Sequence, residues 1–426
     1  MELWPEELRG KRVGAVVHPA SVMPDTLEHV SAVLAAEKEA WRLTALFGPQ
    51  HGILGNTQDN MIEWDPADTA GECRGVFGAG VAVHSLYGAV RKPSAAMLRD
   101  VDVLLVDLQD VGARYYTFVW TMLLCMQAAA EHGLAVVVLD RPNPLGGVAV
   151  EGPRLEAGYE SFVGLLAGVP VRHGLTIGEL ARYFCAHDAT LRAHGGLRGR
   201  LHVLPMAGYA RAMDYAATGL PWVLPSPNMP TPDTARVYPG MCLLEALTPS
   251  EGRGTTRPFE LAGAPWCRPA RLKRDLDALR LPGCVWRVAF FEPAFHKYRG
   301  RVCGGVQLHV TDPHTFRPLL AGVALVWALR RQAPVCVPSA PWSPDHPDAG
   351  TVPFSVLDGA MPDGVFGFKA PPYEYVYDRL PFDILAGSTR LRQQLEAGLD
   401  PLTIARSWEA DEKAWLEERK PFLLYE

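Results

Sequence analysis

The sequence predicts an α/β fold, a mainly parallel sheet flanked by helices, with a smaller mixed α+β unit after it. Three observations carry that reading. Over the first two hundred residues, short β-branched runs alternate with helical stretches. Polar and acidic residues gather just past the end of each run. After Pro205 the composition turns to Pro and Gly, and a second set of periodic segments begins near Cys267.

In chain order, strands are expected at Arg12 to Val17, Leu43 to Phe47, Val81 to Ser85, Val101 to Val106, Ala135 to Leu139 and Leu201 to Leu204. Asp25 to Ala36, Ser94 to Leu98 and Tyr116 to Glu131 read as helices, the last stopped by Gly133 in a left-handed cap. Thr176 and Glu179 form a capping box ahead of LARYF, so a further helix starts there. Residues 205–265 read as an ordered, Pro/Gly-rich cleft segment. Beyond it, Ala270 to Leu279, Phe316 to Arg331 and Thr389 to Ala397 are helical, with strands at Val285 to Phe291 and Gly305 to Val310. The division expected is therefore 1–265 and 266–426, in keeping with 426 residues of which 48% are hydrophobic.

Composition excludes several function classes. The net charge is −6, from 41 Lys plus Arg against 47 Asp plus Glu, so neither nucleic acid nor an anionic membrane is the expected partner. No signal peptide or membrane span is visible, which suggests a cytoplasmic protein. Oligomeric state is not legible. The eight cysteines, from Cys73 to Cys336, contain no CxxC pair and read as reduced, structural thiols. The first strand ends in VVHPAS rather than GxGxxG, and no GxSxG, P-loop or HExxH occurs, so no cofactor is expected. His51, His84 and His173 with Asp110 match no metal-ligand spacing, and no metal is expected either.

The loops at the strand ends direct attention to carboxylates. FGPQHG, LYG, DLQDVGARYY and DRPNP lie at the strand C-termini, the edge where open α/β sheets bind ligands. Asp107 and Asp110 flank one such loop, Asp140 heads DRPNP, Glu151 heads EGP and Glu251 heads EGRG, each beside Gly or Pro that lets backbone approach a ligand. A glycoside hydrolase needs one carboxylic acid to protonate the leaving oxygen and usually a second carboxylate to activate water or attack the sugar. The plain alternative is that these acids pair with Arg114, Arg141 and Arg253 to pin loops together. Tyr115, Tyr87 and Trp222 add the aromatic faces typical of a carbohydrate site, while Tyr116 opens an apolar helix and reads as core. Arg253 and Arg257 offer forks suited to a carboxylate or phosphate.

With FGPQHG, SLYG, DVDVLLVDLQDVGARYYTF, LDRPNPLGG, VRHGLTIGELA, GLPWVLPSPNMPT, YPGMCLLE, SEGRGTTRPFE, CGGVQLHVTD and FDILAG, the sequence resembles, over nearly its whole length, the exo-acting β-N-acetylmuramidases. That family was long catalogued as a domain of unknown function, DUF1343. The resemblance implies a Rossmann-like N-terminal domain without a nucleotide, a smaller C-terminal domain, and removal of terminal N-acetylmuramic acid from peptidoglycan fragments. Asp110 and Glu251 are then the leading acid, base or nucleophile candidates, with Asp107 beside them. Gln50, His51, Arg114, Tyr115, Asp140, Arg141, Asn143, Glu151, His173 and Asn228 become substrate-binding candidates. Arg253 would meet the lactyl carboxylate. One departure stands out: the family pattern has Glu in a PEHG segment where this chain has Gln50, and an amide cannot act as a proton donor of that kind. The rival readings are a muropeptide-binding protein without activity, a subgroup with altered substrate, or an amidase or esterase.

Overall fold

The structure, a computed structural model, describes residues 6–58, 61–69, 81–336 and 364–426. Its first sheet is built from β1 (Arg12–Val16), β2 (Arg42–Gly48), β3 (Ala82–Ser85), β4 (Val103–Val106), β5 (Ala135–Leu139) and β8 (Leu201–Leu204). Between the last two, β6 (Glu151–Arg154) and β7 (Pro170–Arg172) form a separate antiparallel pair. The sheet order is β3-β2-β1-β4-β5-β8 and every pairing is parallel.

β4 and β5 are unbroken apolar runs because they are buried on both faces. Alternate side chains point to opposite sides: Leu104, Val106, Val136 and Val138 enter the larger core, Val103, Leu105 and Val137 the smaller. α1 (Val30–Ala36) closes the smaller core through Val30 and Leu34. On the other face lie α2 (Phe118–His132) and α3 (Ile177–His187), followed by the short α4 (Ala189–Ala193). α2 stops at Gly133 with φ 73°, and α3 starts on the Thr176–Glu179 capping box.

The C-terminal unit holds a smaller antiparallel sheet of β9 (Leu261–Ala264), β10 (Cys284–Phe291) and β11 (Cys303–Val310), in the order β10-β11-β9. Two helices set its frame: α5 (Pro232–Met241) and, past α6 (Pro269–Asp277), α7 (Pro318–Arg330). α5 and α7 cross where Gly240 meets Gly322, and a Cβ on either would run into the other's backbone. Four helices finish the chain: α8 (Pro381–Ala386), α9 (Arg390–Glu396), α10 (Pro401–Arg406) and α11 (Glu409–Glu418).

Three expectations need correction. The helix expected from Asp25 begins only at Val30, with turns before it, and His29 serves as its cap. Ser94 to Leu98 makes a single turn rather than a helix. The cleft segment is not all loop, since α5 and β9 interrupt it. Pro232 and Pro239 concealed α5, yet Pro232 occupies the first turn, where proline is tolerated, and Thr231 caps it. Cys73 lies outside the described residues.

Candidate active site

Loops from both units meet in a tight pocket of about 30 Å³. After β2 the chain turns through His51 and Gly52, with φ of 68° and 76°, and presents Gln50 and His51. The segment between β4 and α2 contributes Tyr115, Tyr116 and Thr117, and the stretch before α5 contributes Ser226 and Asn228. The C-terminal unit supplies Glu245, Arg253, Tyr373 and Glu374. Glu374 and Tyr375 both adopt positive φ, 46° and 64°, inside a tight turn bridged by Tyr373 and Val376. Left-handed non-glycine residues cost conformational energy and concentrate where function fixes the backbone.

Glu374 lines this pocket. Only 1% exposed, it accepts a hydrogen bond from the Tyr87 hydroxyl at 3.0 Å and another from the Gln50 amide at 3.3 Å. Gln50 is itself oriented: Thr117 donates to its carbonyl oxygen at 2.6 Å, and its amide nitrogen also donates to Tyr87 at 3.0 Å. Tyr87 accepts the Met61 backbone N–H as well, so its own proton is left for Glu374. Burial pushes the Glu374 carboxyl up to about 7; the Tyr87 and Gln50 bonds oppose it, and the negative charge of Glu245 adds to it.

Glu245, 3% exposed, has a different setting. One oxygen takes a hydrogen bond from Arg253 at 2.6 Å and the other from the Tyr373 hydroxyl at 2.8 Å. One buried acid with no ion pair among the described residues and one carboxylate held by a guanidinium therefore share the pocket. Two carboxyl groups in contrasting environments are what acid-base division of labour requires.

Of the residues chosen from sequence, Gln50, His51, Tyr115, Asn228 and Arg253 line this pocket. His51 is held by its Nδ1 against the Thr57 carbonyl at 2.7 Å, and Asn228 donates to the Gln58 carbonyl at 2.7 Å. Tyr115 donates to the Pro239 carbonyl and packs edge-on against Tyr238. Tyr116, read as core, lines the pocket too.

The other candidates are engaged elsewhere. Asp107 is clasped by Arg141 through two bonds. Asp110 binds the Gly112 amide at 2.7 Å and faces His173 Nε2 at 3.2 Å. Asp140 accepts from Thr176, Gly178 and Tyr425, joining β5 to α3 and the chain's end; burial raises it to about 6. Glu151 caps α7 by accepting the Leu319 and Leu320 amides at 3.0 and 2.9 Å. Arg114 is spent on the carbonyls of Pro153, Val169 and Leu385, and Asn143 on Leu145 and Leu175. Glu251, fully buried, meets Lys297 Nζ at 2.6 Å and His296 Nδ1 at 3.2 Å. Burial alone would raise Glu251, but Lys297, His296 and Lys369 hold it well below the usual carboxylate range.

Sequence reasoning passed over Glu374 and Glu245. The first lies in PPYEYVYD, an acid among aromatic residues, which is the composition that drew attention to the Asp107 loop. Among the described residues, no group of three His, Cys, Asp or Glu side chains is arranged to hold a metal.

The chain is thus an α/β protein in which a Rossmann-like unit and a smaller α+β unit border a pocket of carboxylates, amides and phenols. A family model described as exo-beta-N-acetylmuramidase NamZ, N-terminal, matches residues 13–233, and its C-terminal counterpart matches 236–425. The chain belongs to the NamZ family. It is 38% identical over 422 residues to the peptidoglycan beta-N-acetylmuramidase NamZ of Bacillus subtilis (strain 168), covering 99% of this chain and 88% of that one. Two solved DUF1343 family proteins of Bacteroides fragilis NCTC 9343 share the fold. The first has a TM-score of 0.76 at 30% identity, the second 0.66 at 26%, and each comparison covers 98% of this chain and 95% of the other.

Proposed function

We propose that this chain is an exo-acting β-N-acetylmuramidase that releases terminal N-acetylmuramic acid from the non-reducing end of peptidoglycan fragments, with Glu374 as the proton donor. The observation that carries the assignment is a buried carboxyl raised to about 7, aimed by Tyr87 and Gln50 into a pocket shared with Glu245. A carboxylic acid still protonated near neutrality can protonate the glycosidic oxygen as the bond breaks. Glu245, carried as a carboxylate by Arg253, either stabilises the positive charge developing on the sugar ring or activates water.

Gln50 thereby loses its apparent difficulty. It is a hydrogen-bond donor to the acid, and proton transfer rests on Glu374. His51 and Asn228 are placed to meet sugar hydroxyls or the acetamido group. Arg253 also lines the pocket, its charge shared with Glu245 and Glu251, and together with the Tyr373 hydroxyl it is the donor offered to the lactyl carboxylate. The related hydrolase in Bacillus subtilis favours an active enzyme over a binding protein.

We also place the junction of the two units near residue 235 rather than 265, because α5 packs on α7 and β9 pairs with β11. No described helix is long and apolar enough to cross a membrane, and a role in turnover of wall fragments fits the substrate. The test is release of chromophore from a chromogenic N-acetylmuramide by the purified protein. Turnover of the muramide well above that of the matching N-acetylglucosaminide supports the assignment, and no release from the muramide sinks it.

A further inference from the structure

We propose a second ligand site, separate from the pocket, that takes a small oxyanion carried on an apolar body. A crevice of about 300 Å³ lies between the loop after β5, β7, α5 and the turn that leads into α7. It shares no lining residue with the pocket around Glu374. Arg172, at the end of β7, lines it and is only 7% exposed.

Most buried arginines here are satisfied in one of two ways. Arg141, Arg211 and Arg253 each face a carboxylate, respectively Asp107, Glu179 and Glu245. Arg114 and Arg419 instead give both terminal nitrogens to backbone carbonyls. Arg172 does neither. Its Nη2 donates to the Leu145 carbonyl at 2.6 Å and its Nε is buried without a hydrogen-bond partner, as in Arg114 and Arg419, but unlike theirs its Nη1 makes no bond among the described residues.

The surroundings do not neutralise it. Glu151 stands opposite Arg172 in the β6–β7 pair but makes no ion pair with it among the described residues: its oxygens are occupied by the Leu319 and Leu320 amides and it also faces Arg317. Arg236, which lines the same crevice, divides its charge between Asp233 and Asp214. Burial lowers the Arg172 guanidinium from its ordinary value; Glu151 opposes this, whereas Arg236 and Arg317 add to it. A buried cation with no carboxylate bonded to it is costly, and an incoming anion removes that cost through charge-assisted hydrogen bonds.

The walls specify the rest of the ligand. Leu145, Val148, Pro313, Phe316 and Pro318 give the crevice apolar sides, so an anion on a hydrated, fully polar body would leave them unsatisfied. A carboxylate or phosphate attached to a compact apolar group fits both the floor and the sides.

The experiment is calorimetric titration of the full chain at low ionic strength with benzoate, with phenyl phosphate and with benzyl alcohol as the neutral probe. Saturable binding of benzoate alone assigns a carboxylate ligand, of phenyl phosphate alone a phosphate, and of both a general oxyanion site. Failure of both anions to bind, or equal binding of benzyl alcohol, overturns the proposal. Arg172→Met is expected to weaken anion binding roughly tenfold or more. If that variant does not fold, Ala212→Glu decides, because it adds a negative charge on the exposed rim and leaves Arg172 in place. It should weaken anion binding several-fold while muramide turnover stays unchanged, and undiminished binding in Ala212→Glu overturns the site.

Discussion

Gln50 and Glu374 stand 324 positions apart in the chain, and the Gln50 amide nitrogen donates to Glu374 Oε1 at 3.3 Å. An amide in that place can orient the carboxyl without competing for its proton. The contact links the N-terminal sheet directly to the last third of the chain.

Replacing Glu374 by Gln keeps the shape of the side chain and removes the proton. The expected loss in kcat on a muramide is about 10²–10⁴-fold, the usual range for deleting a general acid. Circular dichroism should match the parent, and so should the melting temperature at acid pH, where Glu374 is protonated. Undiminished turnover would place the acid elsewhere.

The pH dependence has a defined sign. Since Glu374 must be protonated to act and is raised to about 7, kcat/KM should fall as pH rises past that value. Tyr87→Phe removes a bond that favours the charged form, so the alkaline midpoint should move upward. Stability follows the same direction. The folded carboxyl holds its proton more tightly than the unfolded one, so its contribution is complete below the ordinary value of 4.5 and is lost as pH rises through about 7. Melting curves across that window should therefore fall more steeply for the parent than for Glu374→Gln.

Gln50→Glu sets a second carboxyl against the first. The pair would share protons, and the alkaline limb of kcat/KM should move up by about one unit or more. An unshifted profile would show that residues 50 and 374 do not touch in solution.

Glu251 provides the contrasting case. Glu251→Gln leaves Lys297, 3% exposed, without its counter-charge, and should lower stability by about 3–5 kcal/mol in denaturant unfolding. The folded fraction should keep most of its kcat. A collapse of kcat without a loss of stability would instead make Glu251 a reacting carboxylate.

Much of the architecture is legible in the sequence because it rests on local rules. β4 and β5 announce themselves as apolar runs, and Thr176 with Glu179 marks the start of α3. The site is only half legible. Gln50, His51, Asn228 and Arg253 can be picked from their loops, yet Asp107, Asp140, Glu151 and Glu251 look the same in sequence whether they cap, clasp or react. Glu374 shows the converse, since its protonation is set by burial and by partners at positions 50, 87 and 245. Long-range placement of that kind leaves no local periodic trace.

The pocket has a split origin. Gln50, Tyr87 and Thr117 lie before the junction of the two family-model regions, and Glu245, Arg253, Tyr373 and Glu374 lie after it. Severing the backbone near residue 235 would give two inert fragments, and any regained turnover on mixing them would report their docking directly. With Glu374 as the proposed acid, turnover would report assembly of the two halves.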